Sequence, residues 1–87
     1  MVYGETFYAK FTPDPGIYLT GRVGTWKLSR NTGIISGYSG TLPNNGTDYE
    51  LTFQTEGLPR GIYQLECFDE SPDGFIECFY HKTLMIE

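Results

Sequence analysis

Few residues in this 87-residue chain are of the types that chemistry needs. Cys67 and Cys78 are its two cysteines and His81 its one histidine. If the last two strands form a hairpin about Ser71-Pro72-Asp73-Gly74, Cys67 lies opposite Cys78, Leu65 opposite Tyr80 and Tyr63 opposite Lys82. Cross-strand Cα separations of about 4.5–5.5 Å would then permit a disulfide. In a reducing compartment the same pair reads as two small buried thiols. Zinc is not expected, because two Cys and one His do not complete a tetrahedral site and no Cys-x-x-Cys occurs. By alternation His81 shares a face with Phe75, Glu77 and Phe79, opposite the cysteines. No nucleophile elbow accompanies it, so it reads as a surface or interface histidine. Asp69, Glu70 and Asp73 crowd one turn at a spacing that fits no EF-hand loop, and read as a solvated acidic turn. No phosphate-binding or dinucleotide fingerprint is present. Tyr18, Trp26 and Tyr38 have the chemistry to stack on sugar rings, and equally to fill a core. Asn45-Gly46-Thr47 matches the glycosylation sequon by chance, given no visible secretory signal. The expectation is therefore no catalytic residue, no metal, no cofactor and no enzyme activity.

The elements that carry these residues alternate with period two. Phe7, Ala9 and Phe11 share one face of a first strand with Tyr3, while Thr6, Tyr8 and Lys10 share the other. Thr12-Pro13-Asp14-Pro15-Gly16 ends it. A short strand over 17–20 follows, and then Arg22 to Arg30, with Trp26 and Leu28 on one face. Val23 is out of phase with Trp26, which predicts a bulge at Gly24. Ile34 to Leu42 is rich in Gly and Ser and reads as an edge strand. Tyr49, Leu51 and Phe53 point inward along the next strand. Ile62 to Phe68 and Phe75 to Ile86 complete about seven strands with no helical period. The fold class is all-β, a small antiparallel β-sandwich forming one domain over 1–87.

The stretch Leu58-Pro59-Arg60-Gly61-Ile62-Tyr63-Gln64-Leu65 carries a family likeness. It resembles the tyrosine corner of immunoglobulin-like sandwiches, in which a Tyr opening the sixth strand bonds back to nearby backbone. Tyr49 to Phe53 looks like the fifth strand of that fold, and Trp26 like the core Trp of the third. The inter-sheet disulfide is missing, since Leu65 stands where an antibody-type domain has Cys. The last third is also similar to small immunoglobulin-like modules of tailed-phage virions. There the likeness rests on the Leu-Pro-x-Gly-x-Tyr corner, the Asp73-Gly74 turn and the terminal Leu84-Met85-Ile86. The resemblance implies a structural or adaptor role in a tail, baseplate or capsid.

Composition narrows the partners. At 39% hydrophobic and 16% aromatic the chain is too apolar for disorder. A net charge of −5 repels phosphate backbones, so nucleic acid is not an expected partner. No signal peptide is visible and no run of residues suits a membrane span, so a soluble protein of a virion or host cytoplasm is expected. Two surface features point to protein partners or self-association. Ile62, Phe68, Phe75, Phe79 and Met85 fall on the side opposite Tyr63, Leu65 and Cys67, an apolar face to be covered. Asp48, Asp69, Glu70 and Asp73 gather at one end, and Arg30 and Arg60 at the other. The function expected is a non-enzymatic interaction or structural module of a virion. The alternatives are a small inhibitor that plugs a host protein with its loops, and a carbohydrate-binding module.

Overall fold

The computed structural model describes residues 3–13, 18–31 and 33–87. Six strands run through them: β1 (Thr6–Phe11), β2 (Val23–Arg30), β3 (Gly33–Thr41), β4 (Tyr49–Gln54), β5 (Gly61–Glu70) and β6 (Ile76–Ile86). The expected short strand at 17–20 begins outside the described residues. Its described part lies in no strand, although Leu19 is buried and its amide donates to the Gly46 carbonyl at 3.0 Å. Among the described residues no helix is long and apolar enough to cross a membrane.

The strands form two antiparallel sheets, β1-β4 and β3-β2-β5-β6, which enclose one apolar core. Alternation makes that core. Phe7 faces inward from β1, Tyr49, Leu51 and Phe53 from β4, Leu28 from β2, and Tyr63, Leu65 and Cys67 from β5. Burying each large apolar side chain contributes roughly 1.5–3 kcal/mol. β3 is an edge strand, as its small residues predicted, and its pairing with β2 shifts register between Lys27 and Ser29.

Gly24 is not a bulge. Residues Val23 to Ser29 pair with β5 without interruption, and Val23 simply faces outward. Gly24 instead seats the Tyr49 ring, because a Cβ there would lie 2.4 Å from Tyr49 Cε1.

The corner at the start of β5 is closed by a hydrogen bond. The Tyr63 side chain is fully buried and its hydroxyl donates to the Pro59 carbonyl. Arg30 lies over the ring with its guanidinium carbon 5.0 Å from the centroid, and its Nη1 is 3.5 Å from the Tyr63 oxygen. Gly61, at φ +149°, passes beneath that guanidinium, where a Cβ would lie 2.8 Å from Arg30 Nη2.

The β5–β6 register differs from the expectation. Tyr63 pairs with Leu84, Leu65 with Lys82 and Cys67 with Tyr80, and then Phe68 pairs with Cys78. Two causes add. The hairpin connection runs from Ser71 through Phe75, longer than the Ser-Pro-Asp-Gly turn alone. Phe79 is then one extra residue in β6, a bulge opposite the Cys67–Phe68 step. The bulge exchanges the faces of β6 beyond it.

Two substitutions test this packing. Tyr63→Phe is expected to lower stability by about 1–2 kcal/mol in urea unfolding, since the Pro59 carbonyl loses its donor. Gly24→Ala is expected to cost roughly 1–3 kcal/mol by displacing the Tyr49 ring.

Candidate protein-docking site

The outer face of the four-stranded sheet is built in rows across the strands. Ile62 pairs directly with Met85 at one end, and they are 56% and 52% exposed. The next row holds Ser29, Gln64 and Thr83, with the Thr83 hydroxyl 3.1 Å from Gln64 Oε1. A charged row follows: Lys27 lies 3.9 Å from Glu66, and Glu66 pairs with His81. Beyond it come Thr25, Phe68 and Cys78, with the Lys27 ammonium 5.4 Å from the Phe68 centroid. Exposed Val23 and Ile76 flank Glu70 in the last row.

This arrangement keeps part of the apolar face expected from the sequence and corrects the rest. Ile62, Met85 and Phe68 do lie on the outer side. The face is not one continuous apolar patch, because Lys27, Glu66 and His81 divide it. Phe75 stands at the end of the hairpin connection, 76% exposed. Phe79 is turned away by the bulge. Its ring stacks on Tyr49 at 5.5 Å and meets Phe11 edge-on at 5.3 Å, between the two sheets. Alternation alone gives no sign of such an extra residue in Glu77-Cys78-Phe79-Tyr80, so the sequence placed Phe79 on the wrong side.

The cysteines are separated by the same bulge. Cys67 is fully buried and Cys78 is exposed, its Sγ 3.5 Å from the Tyr80 carbonyl oxygen, and both are free thiols. Burial pushes the Cys67 thiol up to about 12, with the nearby Cys78 thiol adding to the shift. Burial also raises the phenol of Tyr80, with a further contribution from Cys67.

The acidic end is less bare than its composition implies. Asp48 accepts from the Thr12 hydroxyl at 2.7 Å and lies 3.6 Å from Lys10 Nζ. The Thr12 bond leads the causes that hold its carboxyl below the usual range, and Lys10 adds to it. Asp69 accepts from Arg22 at 2.6 Å and from the Tyr49 hydroxyl. Tyr49 is raised well above an ordinary phenol, first by burial and then by its bond to Asp69. Glu70 is half-buried within β5 and Asp73 is exposed in the hairpin turn. Among the described residues no group of three or more His, Cys, Asp or Glu is placed to hold a metal ion.

The sequence did not disclose a cleft of about 670 Å³ between the end of β1 and β6. Phe11, Tyr49 and Phe79 form its aromatic wall, and Lys10, the Arg22–Asp69 pair and Glu77 its charged rim. Two of the three residues suited to sugar stacking are spent on one core ring. Trp26 stacks on Phe53 at 5.3 Å and Tyr38 meets the same ring edge-on at 5.9 Å, while Tyr18 is exposed. Comparison with protein-family models, with curated proteins and with solved structures returns no match to this chain.

Two measurements follow from the thiols. Under native conditions a thiol reagent is expected to label Cys78 rapidly and Cys67 only on unfolding; equal rates would contradict the bulged register. Cys67 has a folded pKa raised from 9.0 to about 12, so its contribution to stability is complete below pH 9 and is lost as pH rises toward 12. Stability measured from pH 8 to 11 is therefore expected to fall, and to fall less steeply in Cys67→Ala.

Proposed function

We propose that this chain is a non-enzymatic protein-interaction module with an immunoglobulin-like sandwich, serving as an accessory or adaptor protein in a tailed-phage virion. The observation that carries the docking role is the outer face of the four-stranded sheet. Its exposed Ile62–Met85 pair lies across the polar Ser29–Gln64–Thr83 row from the Lys27–Glu66–His81 row, an apolar anchor on the same face as charges that set orientation. Pairing of β1 with β4, and the order β3-β2-β5-β6, support the immunoglobulin-like reading. The β1–β4 pair and the β2-β5-β6 neighbours match the second–fifth and third–sixth–seventh neighbours of that fold, with β3 beside the third strand as the added strand of variable-type domains lies. The Tyr63 hydroxyl bond to Pro59 supports it too, as the back-bond of a tyrosine corner.

One observation favours a second reading. Phe75 and Ile76 at the hairpin connection are 76% and 67% exposed, a tip suited to entering a pocket of a host protein, as a small inhibitor would.

The virion reading is tested by sedimentation of tailed-phage particles from cells producing the chain. The chain is expected to travel with intact particles, and the folded double variant Ile62→Ser/Met85→Ser to remain in the supernatant. Recovery of the unaltered chain only as a monomer bound to one host enzyme would reject this reading in favour of the inhibitor. Particles that retain the folded double variant would reject the outer face as the docking surface.

A further inference from the structure

We propose that the edge of β1 left unpaired among the described residues, with the cleft beside it, accepts an extended segment of a partner protein that lays an apolar side chain on Phe11 and Phe79 and brings a lysine or arginine to Glu77. This goes beyond the outer-face docking above and uses the other side of β6.

The argument begins with the sheets. A two-stranded sheet faces a four-stranded one, and β1 pairs with β4 along one edge only among the described residues. An unpaired edge presents backbone donors and acceptors that a partner strand can complete. The other edges are obstructed. β3 carries a register shift and Gly37 at φ +84°. β6 carries the Phe79 bulge and Lys82 on its core-facing side, both devices that discourage strand addition. The outer edge of β4 is partly occupied, since the Glu50 amide donates to the Pro43 carbonyl at 3.0 Å and Asn44 bridges to Tyr49. β1 has none of these features: its six residues pair with β4 in unbroken register.

Beside that edge the cleft offers uncovered aromatic surface, with Phe79 36% exposed where it meets Phe11. The charges of the rim select the partner. Lys10 is paired with Asp48 and Arg22 with Asp69. Glu77 is exposed and has no ion pair among the described residues, so the rim keeps one uncompensated carboxylate. An extended segment with an apolar and a basic residue two positions apart, and so on one face, satisfies the edge, the aromatic wall and that carboxylate together.

The test uses two synthetic peptides, two repeats of Val-Thr-Lys-Thr (the Val-Lys peptide) and two of Val-Thr-Glu-Thr (the Val-Glu peptide), which carry Val and the charge on one face, titrated into the intact chain. Binding is followed by amide chemical shifts and hydrogen exchange. The Val-Lys peptide is expected to slow exchange of β1 amides and shift Glu77 and Phe79, with the Val-Glu peptide about tenfold weaker. Glu77→Lys is expected to weaken Val-Lys binding about tenfold. Glu56→Lys, which changes net charge equally on an exposed loop, is expected to have a smaller effect. Ile62→Ser is expected to leave peptide binding unchanged, which separates this site from the outer face. Equal loss in the two Glu→Lys variants, or shifts confined to the outer face, would overturn the proposal. So would protection of β1 without peptide accompanied by a doubled mass, because the occupant would then be a second copy of the chain.

Discussion

One extra residue in the last strand decides what each side of this molecule presents. Phe79 interrupts the ladder between Cys67–Tyr80 and Phe68–Cys78, and the interruption turns its ring inward. There it bridges the sheets through Phe11 and Tyr49, where two strands have to meet the edge of four. The same step sends Cys78 outward while Cys67 remains fully buried. It also carries Glu77 to the rim of the cleft. The inward place of Phe79, the exposure of Cys78 and the position of Glu77 at the cleft are therefore consequences of one local irregularity.

Around that step the two ends of the sandwich are closed by different chemistry. At the β5 start, the Tyr63 hydroxyl reaches the Pro59 carbonyl, and Arg30 covers the ring. At the opposite end, Tyr49 and Arg22 converge on Asp69, and Thr12 and Lys10 on Asp48. The exposed ion pair of Lys10 with Asp48 contributes little, because water and salt screen it. The Tyr49–Asp69 bond holds the first sheet to the second, because it joins β4 to β5 through a buried ring seated on Gly24. Of the acidic residues that look like a free charged end in the sequence, Asp48 and Asp69 are thus engaged in contacts within the fold, while Asp73 stays exposed.

Much of the architecture was legible because it follows from side-chain periodicity. Tyr49, Leu51 and Phe53 alternate with polar residues, and each is buried as that pattern requires. The Pro59 to Tyr63 corner was readable from residue types with special backbone and hydrogen-bonding roles. The edge position of β3 followed from its Gly and Ser content. What escaped depends on contacts distant in sequence. Gly24 read as a bulge because the ring that requires it belongs to Tyr49. The real bulge has no glycine or proline to mark it, so Phe79 was assigned to the outer face with Ile62 and Met85. The cleft could not be read at all, since it depends on how β1 lies against β6.

The protein is a small sandwich with two unlike surfaces, an outer sheet face that carries an apolar pair and a charged row, and an edge of β1, unpaired among the described residues, beside an aromatic cleft. Both depend on the register of β5 with β6. Nuclear Overhauser contacts between the backbone protons of these strands measure that register directly. The account requires Cys67 beside Tyr80 and Phe68 beside Cys78, with the Phe79 ring close to Phe11 and Tyr49. Contacts placing Cys67 beside Cys78, with Phe79 remote from Phe11, would contradict it.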